Sequence, residues 1–201
     1  MENLVALAVL GGGQGRRIGK RKSNLKIGSQ TFLEIISERI GHFFSEKYYI
    51  SKPSEEDFPL PQGFKRLNDL LNSQTPLVGL YTALFSISYP RVLVVACDMP
   101  FIQPRLVELL IEHSLRGEVI IPCSSRGPEP LIAIYSKKCL QPVKEALDRG
   151  EKRLISFFEK VKVHYLSLEE VRKVDPEEVS FFNINTLEDL KKAQEMAEKN
   201  V

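Results

Sequence analysis

The stretch GGGQGRRIGKRK at residues 11–22 carries the residue types best suited to binding a phosphorylated ligand. Glycines allow backbone N–H groups to approach an anion closely, and Arg16, Arg17 and Lys22 can neutralise several phosphate charges. The stretch follows an apolar run at residues 4–10 and precedes a predicted helix, where polyphosphate binding is more usual than duplex binding. We therefore expect a triphosphate site, with a solvated basic loop or a nucleic-acid patch as the alternatives.

Two common nucleotide-binding motifs do not fit this stretch. A Walker loop needs two glycines separated by four residues, whereas five residues separate Gly13 from Gly19. Arg21 also follows Lys20, at the position where a Walker loop has a hydroxyl residue. The dinucleotide fingerprint would need a glycine in place of Ile18. The stretch is therefore neither a P-loop nor a dinucleotide-binding turn.

Asp98 is the candidate metal ligand. It follows five apolar residues and a cysteine in a predicted buried strand at 91–97, so its carboxylate should project from the carboxyl edge of the sheet. Pro100 keeps Met99 extended. A strand-end aspartate is often a helix cap or turn former. Opposite a polyphosphate loop, a hard oxygen ligand for magnesium is the better interpretation.

Asn183 and Asn185 stand two residues apart near the end of the chain. An extended backbone would direct both side chains to one face and form a polar shelf. The alternative is that Asn185 and Thr186 begin the last helix. The spacing leaves both interpretations open for Asn185 and favours the cap for Thr186.

Asp69 and the histidines are weaker candidates. Asp69 follows a short predicted strand at 64–67 and could bind a ribose hydroxyl, although a turn aspartate is the alternative. His42 falls on a predicted helix surface, His113 near a helix end and His164 on a predicted edge strand. No histidine is placed to act as a base or metal ligand.

Apolar periodicity predicts the elements that must position these residues. Strands are predicted at 4–10, 48–50, 64–67, 91–97, 118–121 and 131–135, and helices at 32–44, after Pro76, at 105–115, at 138–148 and after Thr186. This alternation predicts an α/β fold, a three-layer Rossmann-like arrangement with a mainly parallel central sheet, in a single domain over residues 1–201. Ligands of such sheets bind at the carboxyl ends of the strands.

Composition limits the class of partner. The chain of 201 residues has 28 lysines and arginines against 26 acidic residues, a net charge of +2, which argues against a protein that coats nucleic acid. Its three cysteines form no CxxC pair, and this fits a reduced cytosol. The apolar opening at residues 4–10 is too short for a membrane span or a signal peptide. We expect a soluble cytoplasmic monomer.

Taken in order, four motifs resemble one family. They are LGGGQGRRIG at 10–19 with Lys22, PLVG at 76–79, CDMP at 97–100 and NINT at 183–186. Together they resemble the molybdenum cofactor guanylyltransferases, the MobA family, nearly from end to end. The resemblance implies a nucleotidyltransferase fold that moves GMP from GTP to the terminal phosphate of molybdopterin with Mg2+ and releases pyrophosphate. The glycine loop alone would also fit sugar and isoprenoid nucleotidyltransferases.

The resemblance also implies roles for the matching positions. It implies backbone contacts to guanine and ribose from Leu10, Gly11, Gly12 and Gly13, phosphate contacts from Lys22, nucleotide contacts from Ser51 and Asp69, magnesium binding by Asp98, and a pterin side formed by Arg153, Asn183 and Asn185. Cytidylyl relatives resemble LAAG at the loop and guanylyl relatives LAGG, so Gly12 and Gly13 favour guanine. The chain departs from the family pattern where Gly11 replaces alanine and Ser51 replaces asparagine.

Nucleotidyl transfer needs mainly charge neutralisation and in-line positioning, because the attacking phosphate is already an anion. Asp98, Lys22 and Arg16 are therefore the expected catalytic residues. One alternative is another nucleotidyltransferase, which forms a cytidylyl-pterin or acts on a sugar phosphate or phospholactate. The other is a non-catalytic nucleotide-binding module. Transient contact with molybdenum insertion proteins or acceptor molybdoenzymes is a further expectation.

Overall fold

The computed structural model describes residues 4–11, 25–52, 58–72 and 75–199. The strands are β1 Val5–Leu10, β2 Lys26–Ile27, β3 Gln30–Thr31, β4 Lys47–Ser51, β5 Phe64–Asn68, β6 Arg91–Ala96, β7 Val119–Ser124, β8 Gly127–Pro128, β9 Ile132–Ser136 and β10 Val163–Leu166. The helices are α1 Phe32–Ile40, α2 Pro76–Ser86, α3 Pro104–Glu112, α4 Leu140–Asp148, α5 Leu168–Val174 and α6 Leu187–Glu198. No helix in these described ranges is long and apolar enough to cross a membrane.

The central sheet has the order β10-β7-β9-β6-β1-β4-β5, and β8 pairs with β7 at one end. All strands of that path run in the same direction except β9, which is antiparallel to both β6 and β7. The predicted mainly parallel sheet is therefore confirmed. Its consequence for function is that the carboxyl ends of β1, β4, β5, β6 and β7 meet at one edge.

Both faces of the sheet are covered. Every residue of β1 is buried, with Val5, Leu7 and Val9 packed in one apolar cluster and the alternate residues in another. The first cluster takes in side chains of α1, α3, α5 and α6, and the second takes in side chains of α2 and α4. A strand buried on both sides reads as a continuous apolar run, which is how β1 appears in the sequence. These layers match the predicted three-layer α/β arrangement.

Most helix boundaries follow local capping signals. Thr31 with Glu34 and Thr186 with Asp189 form capping boxes at the starts of α1 and α6, as predicted. Pro76 occupies the first position of α2, where no backbone donor is needed. The structure adds α5, which also begins with a capping box, formed by Ser167 with Glu170. That signal was present in the sequence, although the helix was not predicted.

Candidate functional site

The end of β1 lies directly beside the end of β6. The two strands are parallel, with Leu10 opposite Ala96. Beyond this pair, the Cys97 N–H donates to the Leu10 carbonyl at 3.0 Å, and on the other side the Gly11 N–H donates to the Ile50 carbonyl at 2.7 Å. The chain therefore places Asp98 two residues past a strand end that adjoins the start of the glycine-rich stretch.

Asp98 lies in a tight turn at this edge. Its side chain is half-buried, and the Met99 N–H donates back to the Ala96 carbonyl at 3.1 Å. The Ile184 N–H donates to the Asp98 carbonyl at 2.9 Å. The predicted site residues at 98 and 183–185 are therefore brought together, although Asp98 and Asn183 are 85 positions apart in the sequence.

Further contacts hold the loop that follows Asp98. The Arg39 Nε donates to the Ile102 carbonyl at 3.1 Å, and the Gln103 N–H donates to the Ser180 hydroxyl at 3.0 Å. The rings of Phe101 and Phe182 pack with centroids 6.4 Å apart. The loop is thus fixed by α1 on one side and by the segment before Asn183 on the other.

Asp175 organises that segment, and sequence reasoning did not single it out. Its carboxylate is only 2% exposed and accepts from the Val179 N–H at 3.0 Å and the Ser180 N–H at 2.9 Å. Burial lowers the pKa of the nearby Arg39 guanidinium, and the charges of Asp175 and Glu38 oppose that effect. The Asp-Pro dipeptide at 175–176 is a turn signal that could have drawn attention to it.

Ser51 and Asp69 form the other side of the site, at the ends of β4 and β5. The Asp69 N–H donates to the Ser51 carbonyl at 2.9 Å, and the Ser51 side chain is fully buried. Burial raises the pKa of the Asp69 carboxyl, while Lys52 and a hydrogen bond from Thr82 oppose that effect. The Asp69 Oδ1 is buried and has no hydrogen-bond partner among the described residues. It is a polar atom available to a ligand.

The two asparagines have different surroundings. The Asn183 Oδ1 is buried and lacks a hydrogen-bond partner within the part of the chain that the structure describes. Ile184 between them is fully buried, whereas Asn185 is exposed and its N–H donates to the Asp189 carboxylate at 3.0 Å. Asn185 therefore contributes to the start of α6, and Asn183 is the stronger ligand candidate.

Arg153 is exposed and lines a cavity at the end of β6. The cavity has a volume of about 400 Å³. Its lining consists of Pro76, Pro128, Pro130, Leu131, Lys152, Arg153, Leu154 and Ile155. The Leu131 carbonyl accepts from the Ala96 N–H at 3.0 Å, so the cavity adjoins the strand that leads to Asp98. Two cations beside an apolar floor suit a flat ligand that carries a phosphate.

Arg126 connects the β7–β8 turn to the segment before Asn183, and it too was missed by sequence reasoning. Its NH2 group donates to the Glu129 carboxylate at 3.0 Å and to the Phe181 carbonyl at 2.8 Å. The Ser124 hydroxyl donates to the same Glu129 oxygen at 2.6 Å. The contact between Arg126 and Phe181 joins residues that are 55 positions apart, so no local spacing pattern could have predicted it.

The remaining predicted residues, Gly12, Gly13, Arg16 and Lys22, lie outside the described residues. In the described ranges no cluster of three or more His, Cys, Asp or Glu side chains could hold a metal ion by itself. A single carboxylate at Asp98 fits Mg2+, which commonly takes one or two protein carboxylates and completes its coordination with substrate phosphates and water.

The mainly parallel sheet with its polar carboxyl edge matches the α/β fold of solved nucleotidyltransferase structures. The crystal structure of 2-C-methyl-D-erythritol 4-phosphate cytidylyltransferase from Thermus thermophilus has this fold, with a TM-score of 0.73, 17% identity and coverage of 96% of this chain and 98% of that one. The crystal structure of molybdopterin-guanine dinucleotide biosynthesis protein A from Archaeoglobus fulgidus is more similar, with a TM-score of 0.83, 29% identity and coverage of 96% and 99%.

The model of the MobA-like NTP transferase domain matches residues 7–164, and the chain belongs to that family. A relative from Pelotomaculum thermopropionicum, named a probable molybdenum cofactor guanylyltransferase, is 36% identical over 96% of this chain and 93% of its own length. A relative of the same name from Natranaerobius thermophilus is 34% identical over 96% and 97%. The resemblance found in the sequence motifs is therefore confirmed.

Proposed function

We propose that this chain transfers GMP from GTP to molybdopterin, forming molybdopterin guanine dinucleotide and pyrophosphate. The observation that carries the proposal is the parallel pairing of Leu10 with Ala96, because it brings Asp98 next to the start of the glycine-rich stretch. A triphosphate between these two strand ends would meet backbone donors on one side and a carboxylate on the other. The names of the full-length relatives support the same reaction.

The nucleotide binds, in this proposal, over the ends of β1, β4 and β5. Backbone groups of Leu10 and Gly11, with Gly12 and Gly13, contact guanine and ribose. The Asp69 Oδ1 is a buried acceptor without a partner in the described residues, and it accepts from an N–H or hydroxyl of the nucleotide. The Ser51 side chain is buried, so we assign it no direct contact with the nucleotide. Ser51 instead positions Asp69, because its backbone carbonyl accepts from the Asp69 N–H at 2.9 Å.

Charge neutralisation supplies the main catalytic effect. Mg2+ held by Asp98 would neutralise charge on the α-phosphate when bound. Lys22 and Arg16 take charge from the phosphates, and the N–H groups of the glycine stretch orient the leaving pyrophosphate. The backbone of Asp98 is held in place by the turn at residues 96–99 and by the hydrogen bond from the Ile184 N–H to its carbonyl.

Molybdopterin binds on the other side of Asp98. Lys152 and Arg153 provide two exposed cations for its phosphate, and the proline-lined floor of the adjoining cavity suits the flat pterin. The buried Asn183 Oδ1 accepts from an N–H group of the acceptor. The acceptor phosphate attacks as an anion, so no histidine base is required.

The product then passes to other proteins. We infer transient contacts with molybdenum insertion proteins or acceptor molybdoenzymes, with the chain acting as a cytoplasmic monomer. Such a transfer requires that the acceptor side of the site be open to solvent, and Arg153 and Lys152 are both exposed there. Size-exclusion chromatography with light scattering at micromolar concentration tests the monomer, and a dimer mass would contradict it.

Pyrophosphate release from GTP, Mg2+ and molybdopterin tests the reaction directly. Asp98→Ala should lower the rate about 100-fold or more, the scale of losing one preorganised charged group at a transition state. Asp148→Ala is the matched control, because Asp148 is an exposed residue of α4 that pairs only with Lys144 among described residues. Equal rates for native and Asp98→Ala protein would remove Asp98 from the mechanism. Use of CTP as readily as GTP would overturn the choice of guanine.

A further inference from the structure

Gly11 is in close contact with the side chain of Tyr49. A Cβ atom built on Gly11 would overlap the Tyr49 hydroxyl and Cζ and would lie 2.8 Å from its Cε2. Real Cβ atoms essentially never approach other atoms this closely. The end of the tyrosine ring therefore occupies the space of a side chain at position 11. This explains physically why glycine stands where the family pattern has alanine.

The Tyr49 ring is itself tightly held. It is fully buried, and Phe58 packs edge-on against it with centroids 5.1 Å apart and an interplanar angle of 89°. The Arg66 guanidinium carbon lies 5.6 Å from the ring centroid, and its NH2 group donates to the Phe58 carbonyl at 2.8 Å. Strand pairing aligns Tyr49 with Val9 of β1 and with Arg66 of β5. The ring end is therefore a fixed surface against which Gly11 rests.

The opposite face of the β1 end is packed in a similar way. A Cβ built on Gly79 of α2 would lie 3.0 Å from Leu10 Cδ2 and 3.1 Å from its Cδ1. Leu10 and Gly11 are thus held from both sides, by a helix glycine on one face and a tyrosine ring on the other. Two glycines allow this close approach, one on the strand end and one on the helix.

We propose that Tyr49 is a positioning residue for nucleotide binding, because its ring end sets the place of the Gly11 backbone. The inference rests on the proposed function, in which Leu10 and Gly11 contact the nucleotide through backbone atoms. Backbone groups have no rotamers with which to correct a displacement, so their position must be set by what packs against them. A displacement of about 1 Å in a catalytic arrangement can cost about 100-fold in rate. Gly79 has the same role through Leu10.

Binding of GTP with Mg2+, measured by titration calorimetry, tests the inference together with KM, kcat and the melting temperature. Gly11→Ala should raise the Kd for GTP about tenfold or more, with a smaller change in kcat. In the double variant with Tyr49→Leu, the ring end that overlaps the new Cβ is gone. The Kd should therefore return to within about threefold of the native value, because the effects of substitutions at two contacting residues are not additive. Gly41→Ala is the control, because a Cβ there would lie 3.3 Å from the flexible Ser37 hydroxyl in a right-handed helical conformation.

Two further variants keep the test decisive if Gly11→Ala does not fold. Tyr49→Leu alone removes the ring that packs against Gly11, and Gly79→Ala places a Cβ in close contact with Leu10. Each variant should raise the Kd for GTP, whereas Gly41→Ala should not. An unchanged Kd in both, or a double variant that binds no better than Gly11→Ala, would overturn the inference. Native protein that binds no GTP would instead overturn the proposed function, so the two failures are distinguishable.

Discussion

Two aspartates, one on each side of the site, show how differently the chain uses a carboxylate. Asp175, in the segment before Asn183, has both oxygens engaged by backbone N–H groups at 3.0 and 2.9 Å. Asp69, at the end of β5, keeps a buried oxygen that no described residue contacts by a hydrogen bond, and burial raises its pKa. The first carboxylate stabilises a loop. The second is left with capacity for a ligand, at a cost in stability.

The same contrast extends to the elements around them. On the nucleotide side, the strand ends are placed by the parallel ladder and by close packing on Gly11 and Gly79. On the acceptor side, the loops are placed by side-chain contacts such as those of Asp175 and Arg126. Substitutions should therefore disturb stability more on the acceptor side and ligand affinity more on the nucleotide side.

The largest expected effect is that of Asp175→Ala. It leaves the N–H groups of Val179 and Ser180 without an acceptor and removes a negative charge that offsets the effect of burial on the Arg39 guanidinium. Loss of one partner from such a buried group should lower the free energy of unfolding by about 3 kcal/mol. Urea denaturation measures it.

Glu169→Ala is the control for this substitution. Glu169 is an exposed residue of α5 that pairs with Lys173, so its removal should change the free energy of unfolding by no more than about 0.5 kcal/mol. If the two variants unfolded at the same urea concentration, the structural role inferred for Asp175 would be contradicted.

Asp69→Asn should have the opposite effect on stability. Because the pKa of Asp69 is raised in the folded state, ionisation of this group opposes folding, and the penalty appears as the pH rises through the folded pKa. The variant should therefore melt at a higher temperature than native protein at pH 7 and lose this advantage near pH 3. Its KM for GTP should rise about tenfold, because asparagine keeps an acceptor oxygen but loses the charge that strengthens the hydrogen bond from the nucleotide.

Asp148→Asn serves as the matched control, since Asp148 is exposed and lies on α4. It should change neither the melting temperature nor the KM. A destabilised Asp69→Asn with native KM would show that Asp69, like Asp175, is a structural carboxylate, and the contrast between the two sides would disappear.

Local signals in the sequence were sufficient for the parts of the molecule that depend on short spacing. The buried runs of β1 and β6, the capping boxes at Thr31 and Thr186 and the polar strand end at Asp98 were all predicted. The strand β9 was also predicted, at 131–135, but its antiparallel direction was not. Only nine residues, 122–130, separate the two predicted strands on either side, fewer than a parallel crossover needs, so loop length could have indicated it.

The contacts that complete the site depend on residues far apart in the chain. Arg126 contacts the Phe181 carbonyl, and Gln103 contacts Ser180, only because the folded topology brings these segments together. Neither contact produces a pattern of residue spacing in the sequence. The contact of Tyr49 with Gly11 was visible only as a departure from the family pattern. The roles of the individual site residues, and the single-domain organisation, stay predictions.

A third region, the histidine pair at the sheet edge, should affect stability alone and by the smallest amount. The His113 Nδ1 and His164 Nε2 are 3.1 Å apart, and burial, followed by the charge of His113, lowers the pKa of His164. Because the pKa of His164 is lower in the folded state, neutral His164 makes no demand on stability above the unfolded pKa of about 6.5. Below that pH the free energy of unfolding falls, because the unfolded chain takes up the proton more readily.

The melting temperature should therefore fall between pH 7 and pH 5.5, and His164→Gln should flatten that dependence. Because β10 lies at the edge of the sheet and three positions from β6, kcat measured at pH 7 should not change in this variant. A pH-dependent melting temperature that His164→Gln leaves intact would assign the effect to other groups. A loss of kcat in the variant would show that the β10 edge of the sheet also affects the reaction. That result would contradict the assignment of function to the nucleotide and acceptor sides alone.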